Sequence, residues 1–118
     1  MTDIIKVAAV QTNPRLMDPE ANLSTILKFI REAAGNRTNL IVFPECSLSG
    51  YLFHSRNEAL PYAETIPGPA TEKVTSLCSE LNVHVILGLL EKEKDKLFNV
   101  ATFVGPEGII GNYRKLAT

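Results

Sequence analysis

Tryptophan is missing from the 118-residue chain, cysteine occurs only twice, and neither sign of charge dominates. Each shortage removes a class of function. With 12 basic against 13 acidic residues, three tyrosines and five phenylalanines, there is no basic stripe or aromatic platform on which to bind nucleic acid. The two cysteines, Cys46 and Cys78, are too few for a disulfide-dense scaffold and are not spaced as a metal motif. A reducing cytoplasm is therefore the expected compartment. Long apolar runs are absent as well. The stretch Ile4–Val10 is interrupted by Lys6, is followed by no A-x-A cleavage site and is too short to cross a bilayer, so it reads as a first strand. No G-x-G-x-x-G, P-loop or metal-ligand spacing occurs, and no nucleotide, metal or other cofactor is expected.

What remains is an ordinary globular composition, 45% hydrophobic and 21% charged, in a length that suits one domain with one core. Ile4–Gln11 is β-rich. Asp18 is placed to cap a helix, with Pro19 at its first position and Leu23, Ile26, Leu27 and Ile30 on one face until Gly35 ends it. Leu40–Phe43 follows as a strand, then an irregular span Ser47–Ala63. After "IPGPA" a second helix presents Ala70, Val74, Leu77, Cys78 and Leu81, and Asn82 closes it. Val83–Leu90, Leu97–Val104 and Ile109–Arg114 are three strands joined by short turns, an antiparallel meander. The order β-α-β-α-β-β-β predicts an α/β fold, a mixed sheet with helices on one face.

Direction then singles out two residues. Strands joined by helical crossovers run parallel, the fourth strand reverses, and the fifth is parallel to the third. The ends of the second strand, at Glu45, and of the fifth, at Lys115, therefore open onto one rim, where open α/β sheets build their sites. A carboxylate and an ammonium converging there could stabilise each other or straddle a substrate. Taken singly, Pro44-Glu45 after a strand reads as structural and Lys115 as surface. Tyr51 and His54 follow Glu45 in the loop, and Glu91 ends the third strand; each could line a substrate pocket, against the plainer readings of loop packing and a solvated turn. His84, between Val83 and Val85, reads as a hydrogen-bonded structural histidine, and Cys78 as core.

Four segments, "VAAVQTNP", "NLIVFPECSLSGY", "VHVILGLLEKEKDKLFNVATFVGPEG" and "GNYRKL", resemble in order and spacing the N-terminal half of the carbon–nitrogen hydrolase (nitrilase) superfamily. The resemblance implies that residues 1–118 are a partial domain, one portion of an α-β-β-α sandwich. It implies Glu45 as the general base and Lys115 as the stabiliser of the oxyanion in a Glu–Lys–Cys set. Asn99 matches a family position that orders the sheet. The chemistry suits these types. A free thiol near pKa ~8.5 is mostly protonated at neutral pH, so a positioned carboxylate must take its proton.

The family nucleophile lies beyond the Y-R-K segment, so none is expected within this chain. Cys46 neighbours Glu45, but adjacent side chains in extended backbone point to opposite sides. The implied substrates are small amides, carbamoyl compounds or nitriles. The implied partners are copies of the chain, or a chain carrying the C-terminal half; neither nucleic acid nor membrane is expected. The rival reading is a non-catalytic truncated or split fragment that acts as an interaction module.

Overall fold

A computed structural model describes residues 4–15, 18–45, 47–48 and 56–115. Strand β1 (Val7–Ala9) leads into helix α1 (Pro19–Gly35) and strand β2 (Leu40–Val42). A short helix α2 (Arg56–Ala59) and a 3-10 turn (Leu60–Tyr62) precede helix α3 (Pro69–Leu81). Strands β3 (His84–Glu93), β4 (Lys96–Gly105) and β5 (Gly108–Arg114) complete a sheet of order β1-β2-β3-β4-β5. β1, β2 and β3 are parallel, and β4 is antiparallel to both its neighbours, as the connection lengths dictate.

Local chemistry sets the helix ends. The Asp18 carboxylate accepts from the Ala21 amide at 3.1 Å, and Pro19 fills the first helical position, where a missing N–H costs nothing. At the other end the expectation for Gly35 is corrected. Gly35 is still helical, Asn36 is the cap, and the positive φ (62°) belongs to Arg37. Lys6 Nζ satisfies the freed Asn36 carbonyl at 2.7 Å, which removes the need for a glycine there. Helix α3 begins at Gly68, whose amide donates to Thr71 Oγ1 at 2.9 Å, and ends at Asn82 in the left-handed conformation (φ 54°).

Both long helices cover one face of the sheet. Ile26 and Ile30 of α1 and Val74, Leu77 and Cys78 of α3 pack on Ile41, Val85, Leu87, Leu89, Val100 and Val104. Each such side chain contributes about 1.5–3 kcal/mol by leaving water. Alternation sends Ile86, Gly88, Asn99, Ala101 and Tyr113 to the opposite face. That face carries no long helix among the described residues, and Tyr113 is 65% exposed on it. No helix among the described residues is long and apolar enough to cross a membrane.

β2 stops early, and its place along the edge of β3 is taken in turn by other segments. Phe43 donates its amide to the Ile86 carbonyl (2.9 Å), Ser47 Oγ donates to Gly88 O (2.9 Å), and Glu64 bridges to Leu90 and Lys92. Glu45 is thus carried on a stretch pinned at both ends. Leu48, 1% exposed, plugs the core beside it.

Candidate functional site

Phe43 and Ser47 fix the backbone on either side of Glu45, and β4 and β5 supply its partners. Lys115 follows the last residue of β5, and its backbone amide donates to the Asn99 carbonyl at 2.8 Å. From there Lys115 Nζ reaches Glu45 Oε1 at 3.1 Å. Asn99 Nδ2, from β4, donates to the same oxygen at 2.6 Å. Both side chains of the ion pair keep contact with solvent, 44% for Glu45 and 61% for Lys115. Its stabilising energy is therefore small, and its interest lies in geometry.

The three polar groups stand at the edge of a cleft of about 420 Å³ on the helix-free face, floored by Phe43, Ile86, Gly88 and Ala101 and flanked by Tyr113. An apolar floor with a few convergent polar groups is the usual composition of a small-molecule site. A larger groove of about 590 Å³ runs between α3 and β5, but among the described residues Glu72 is the one ionisable residue that lines it. The smaller cleft is where paired ionisable chemistry is found.

The other candidates separate. Tyr51, His54 and Cys46 lie outside the described residues. Glu91 does not line the cleft. It is 6% exposed on the helix-covered face, where Arg114 Nε donates to its Oε1 at 2.8 Å and Asn112 Nδ2 at 3.3 Å. The expectation that strand direction would carry Glu91 to the rim overlooked its parity, because alternate residues of β3 face opposite sides. Arg114 also donates to Glu93 Oε2 (2.9 Å) and lies 3.9 Å over the Phe98 ring. Its hydrogen bond holds the Glu93 carboxyl below the usual carboxylate range.

Cys78 is fully buried in α3, and burial pushes its thiol up to about 11. A thiol so desolvated is a packing group, not a nucleophile. His84 sets its ring against Phe103, centroids 5.7 Å apart, so the contact is aromatic where the sequence suggested hydrogen bonding. Among the described residues no three His, Cys, Asp or Glu side chains converge as metal ligands.

Two contributors escaped the sequence reading. Asn99, which the resemblance implies orders the sheet, accepts from the Lys115 amide through its backbone and also donates its side chain directly to Glu45. Arg114 drew no attention, although a strand ending Tyr-Arg-Lys must send Arg114 and Lys115 to opposite faces.

Comparison with known proteins agrees with this layout. A family model described as carbon-nitrogen hydrolase matches residues 6–117. A nitrilase from Pyrococcus abyssi is 40% identical over 96% of the chain and 44% of its own length. The protein N-terminal amidase of Saccharomyces cerevisiae is 34% identical over 94% of the chain and 26% of its own. A crystal structure of an N-terminal amidase superimposes with a TM-score of 0.84 at 30% identity, over 97% of this chain and 28% of that one. The chain spans less than half the length of each of these relatives.

Proposed function

The chain belongs to the carbon–nitrogen hydrolase family, and on that premise we propose that it carries the base and the cation of a thiol-dependent hydrolase acting on small amides or nitriles. The observation that supports this best is the Glu45–Lys115 pair, 3.1 Å apart at the mouth of an apolar cleft. In this reading Glu45 takes the proton of a cysteine thiol, and the thiolate attacks the carbonyl or nitrile carbon. The Lys115 ammonium opposes the negative charge that develops on oxygen or nitrogen. With an amide, the carbon–nitrogen bond breaks, Glu45 returns its proton to the leaving amine, and water hydrolyses the thioester. Asn99 and Lys115 share Oε1, so in this reading Oε2 is the oxygen that transfers the proton. Residues 1–118 serve as the N-terminal portion of the catalytic domain.

Cys78 is excluded as the nucleophile by its burial in α3. Since the chain spans 44% of the nitrilase it matches, the reading assigns the nucleophilic cysteine to the remainder of a full-length domain. Assembly with further copies, or with a chain bearing that remainder, and residence in a reducing cytoplasm belong to the same reading. The test is release of ammonia from a panel of amides and nitriles by the complete protein. Glu45→Gln should lower kcat by about 10²–10⁴-fold. Unchanged turnover in that variant would overturn the assignment. The 118 residues alone should show no turnover; activity that disappears with Cys46→Ala would move the nucleophile to Cys46.

A second reading, a non-catalytic interaction module, is favoured by the exposed apolar groups Val7, Ile110 and Tyr113. Turnover by the complete protein that depends on Glu45 and Lys115 rejects it.

A further inference from the structure

Glu91 is a carboxylate 6% exposed on the face it shares with the buried side chains of Leu87, Leu89, Val100, Thr102 and Val104. Burying that charge is costly, and a well-packed apolar side chain in its place would often be neutral or stabilising. What the carboxylate accomplishes is to hold Arg114. The guanidinium is fixed on three sides: Nε to Glu91 at 2.8 Å, Nη2 to Glu93 at 2.9 Å, and its plane 3.9 Å from the Phe98 centroid. Asn112, two residues earlier on the same strand, adds a bond to Glu91 and accepts from the Thr102 hydroxyl.

These anchors all grip the end of β5. Among the described residues that strand is the edge of the sheet, paired with β4 alone, and its end is where an unclamped strand frays first. Lys115 is the next residue, about 3.8 Å away along the backbone, and its side chain emerges on the other face toward Glu45. We infer that Glu91 and Arg114 are positioning residues for Lys115: an ion pair on the helix-covered face sets the height and direction of the ammonium in the cleft opposite. The inference rests on the hydrolase reading for its catalytic consequence, but the mechanical link can be measured without it.

The experiment is a double-mutant cycle in the complete protein with Glu91→Gln, Lys115→Met and their combination. Misplacing a reacting group by about 1 Å can cost 10²-fold, so Glu91→Gln should lower kcat by about 10–100-fold with KM little changed. In the Lys115→Met background the same change should cost less than about twofold, because a residue that acts through Lys115 has nothing left to act through. Equal losses in both backgrounds would show a merely structural role and overturn the inference. A Lys115→Met enzyme with full turnover would instead overturn the hydrolase reading.

Hydrogen exchange gives the arm that needs no activity. Glu91→Gln should speed exchange at Tyr113 to Lys115 by at least about tenfold while Val85 to Leu89 keep their protection; unchanged protection at the end of β5 rejects the clamp. If Glu91→Gln does not fold, Arg114→Lys replaces it in both arms. It keeps the charge but loses the planar fork that sets separate nitrogens on Glu91 and Glu93, and the stacking, and the same outcomes decide.

Discussion

The side-chain amide of Asn99 donates to Glu45 Oε1 at 2.6 Å across 54 residues of sequence, while the Asn99 backbone carbonyl accepts from the Lys115 amide. One residue therefore touches both members of the ion pair, with its side chain on one and its backbone on the other. Asn99→Ala removes the first contact and leaves the second. Glu45 would then keep its charge partner but lose its orientation. In the complete protein we expect kcat to fall by about 10-fold or more with the melting temperature within a few degrees, since the lost bond is half exposed. Asn99→Asp should be worse than Asn99→Ala, because it sets a second carboxylate against Glu45. Steady-state kinetics paired with thermal melts separate these outcomes.

Cys78 allows a prediction with a definite sign. Its thiol, pushed up to about 11 by burial, stays protonated in the folded chain at pH values where an unfolded chain has lost the proton. Above the ordinary thiol value the folded state thus binds more protons than the unfolded one, and stability falls as pH rises. The contribution is fully present below about pH 8.5 and is lost progressively towards pH 11, amounting to about 3 kcal/mol. Urea melts at pH 8 and 10.5 should show a steeper loss for the natural chain than for Cys78→Ala. In a Cys46→Ala background, Cys78 should react with a thiol reagent at pH 8 only as fast as the chain opens.

Periodicity and connection length were enough to place the sheet and its helices, because both follow from the backbone alone. The parallel crossovers, the meander and the helix faces of Ile26, Ile30, Val74 and Leu77 are legible in that way. The same reasoning brought Glu45 and Lys115 to one rim, since strand direction is a property of topology. What it missed depends on parity and on three-dimensional partners. Whether Glu91 faces the cleft turns on counting residues along β3, and a shift of one reverses the answer. That Asn99 meets Glu45 depends on where a loop of irregular backbone sets the carboxylate, which no periodic pattern encodes. Gly35 looked like the helix stop because glycine is the usual solution there, yet Lys6 bonding the Asn36 carbonyl made another possible.

Arg114 stands between two carboxylates of very different burial, and its removal should expose the contrast. Arg114→Met leaves Glu91 buried without a cation and should destabilise the chain by about 3 kcal/mol. Glu93→Gln should leave the urea midpoint nearly unchanged, because Glu93 is 60% exposed and its bridge is screened by solvent. The Glu93 carboxyl, held below the usual range chiefly by the Arg114 hydrogen bond, contributes stability above the ordinary carboxylate value that is lost as pH falls through its own lowered one. In Arg114→Met its titration should return towards the ordinary range, as followed by carboxyl ¹³C shifts. An unchanged titration would mean that the neighbouring Lys94 and Lys96, not Arg114, lower it.

The helix-free face gives the last prediction. Tyr113 is 65% exposed and Ile110 58%, and at the far edge of the sheet Val7 is 54% exposed. Apolar groups spread across a sheet face, around an apolar cleft, favour association. The 118-residue chain should therefore self-associate at micromolar concentrations, seen as a sedimentation coefficient that rises with loading. Tyr113→Lys should weaken that association without touching the core, since its side chain lies outside the helix-packed cluster. A replacement in the groove between α3 and β5, such as Ser76→Lys, should leave association unchanged if the sheet face is responsible. If Ser76→Lys disrupts association and Tyr113→Lys does not, the contact lies along α3 and the sheet face is free. A monomer at every concentration would show that the exposed side chains are too scattered to drive pairing, and would remove the main support for an interaction module.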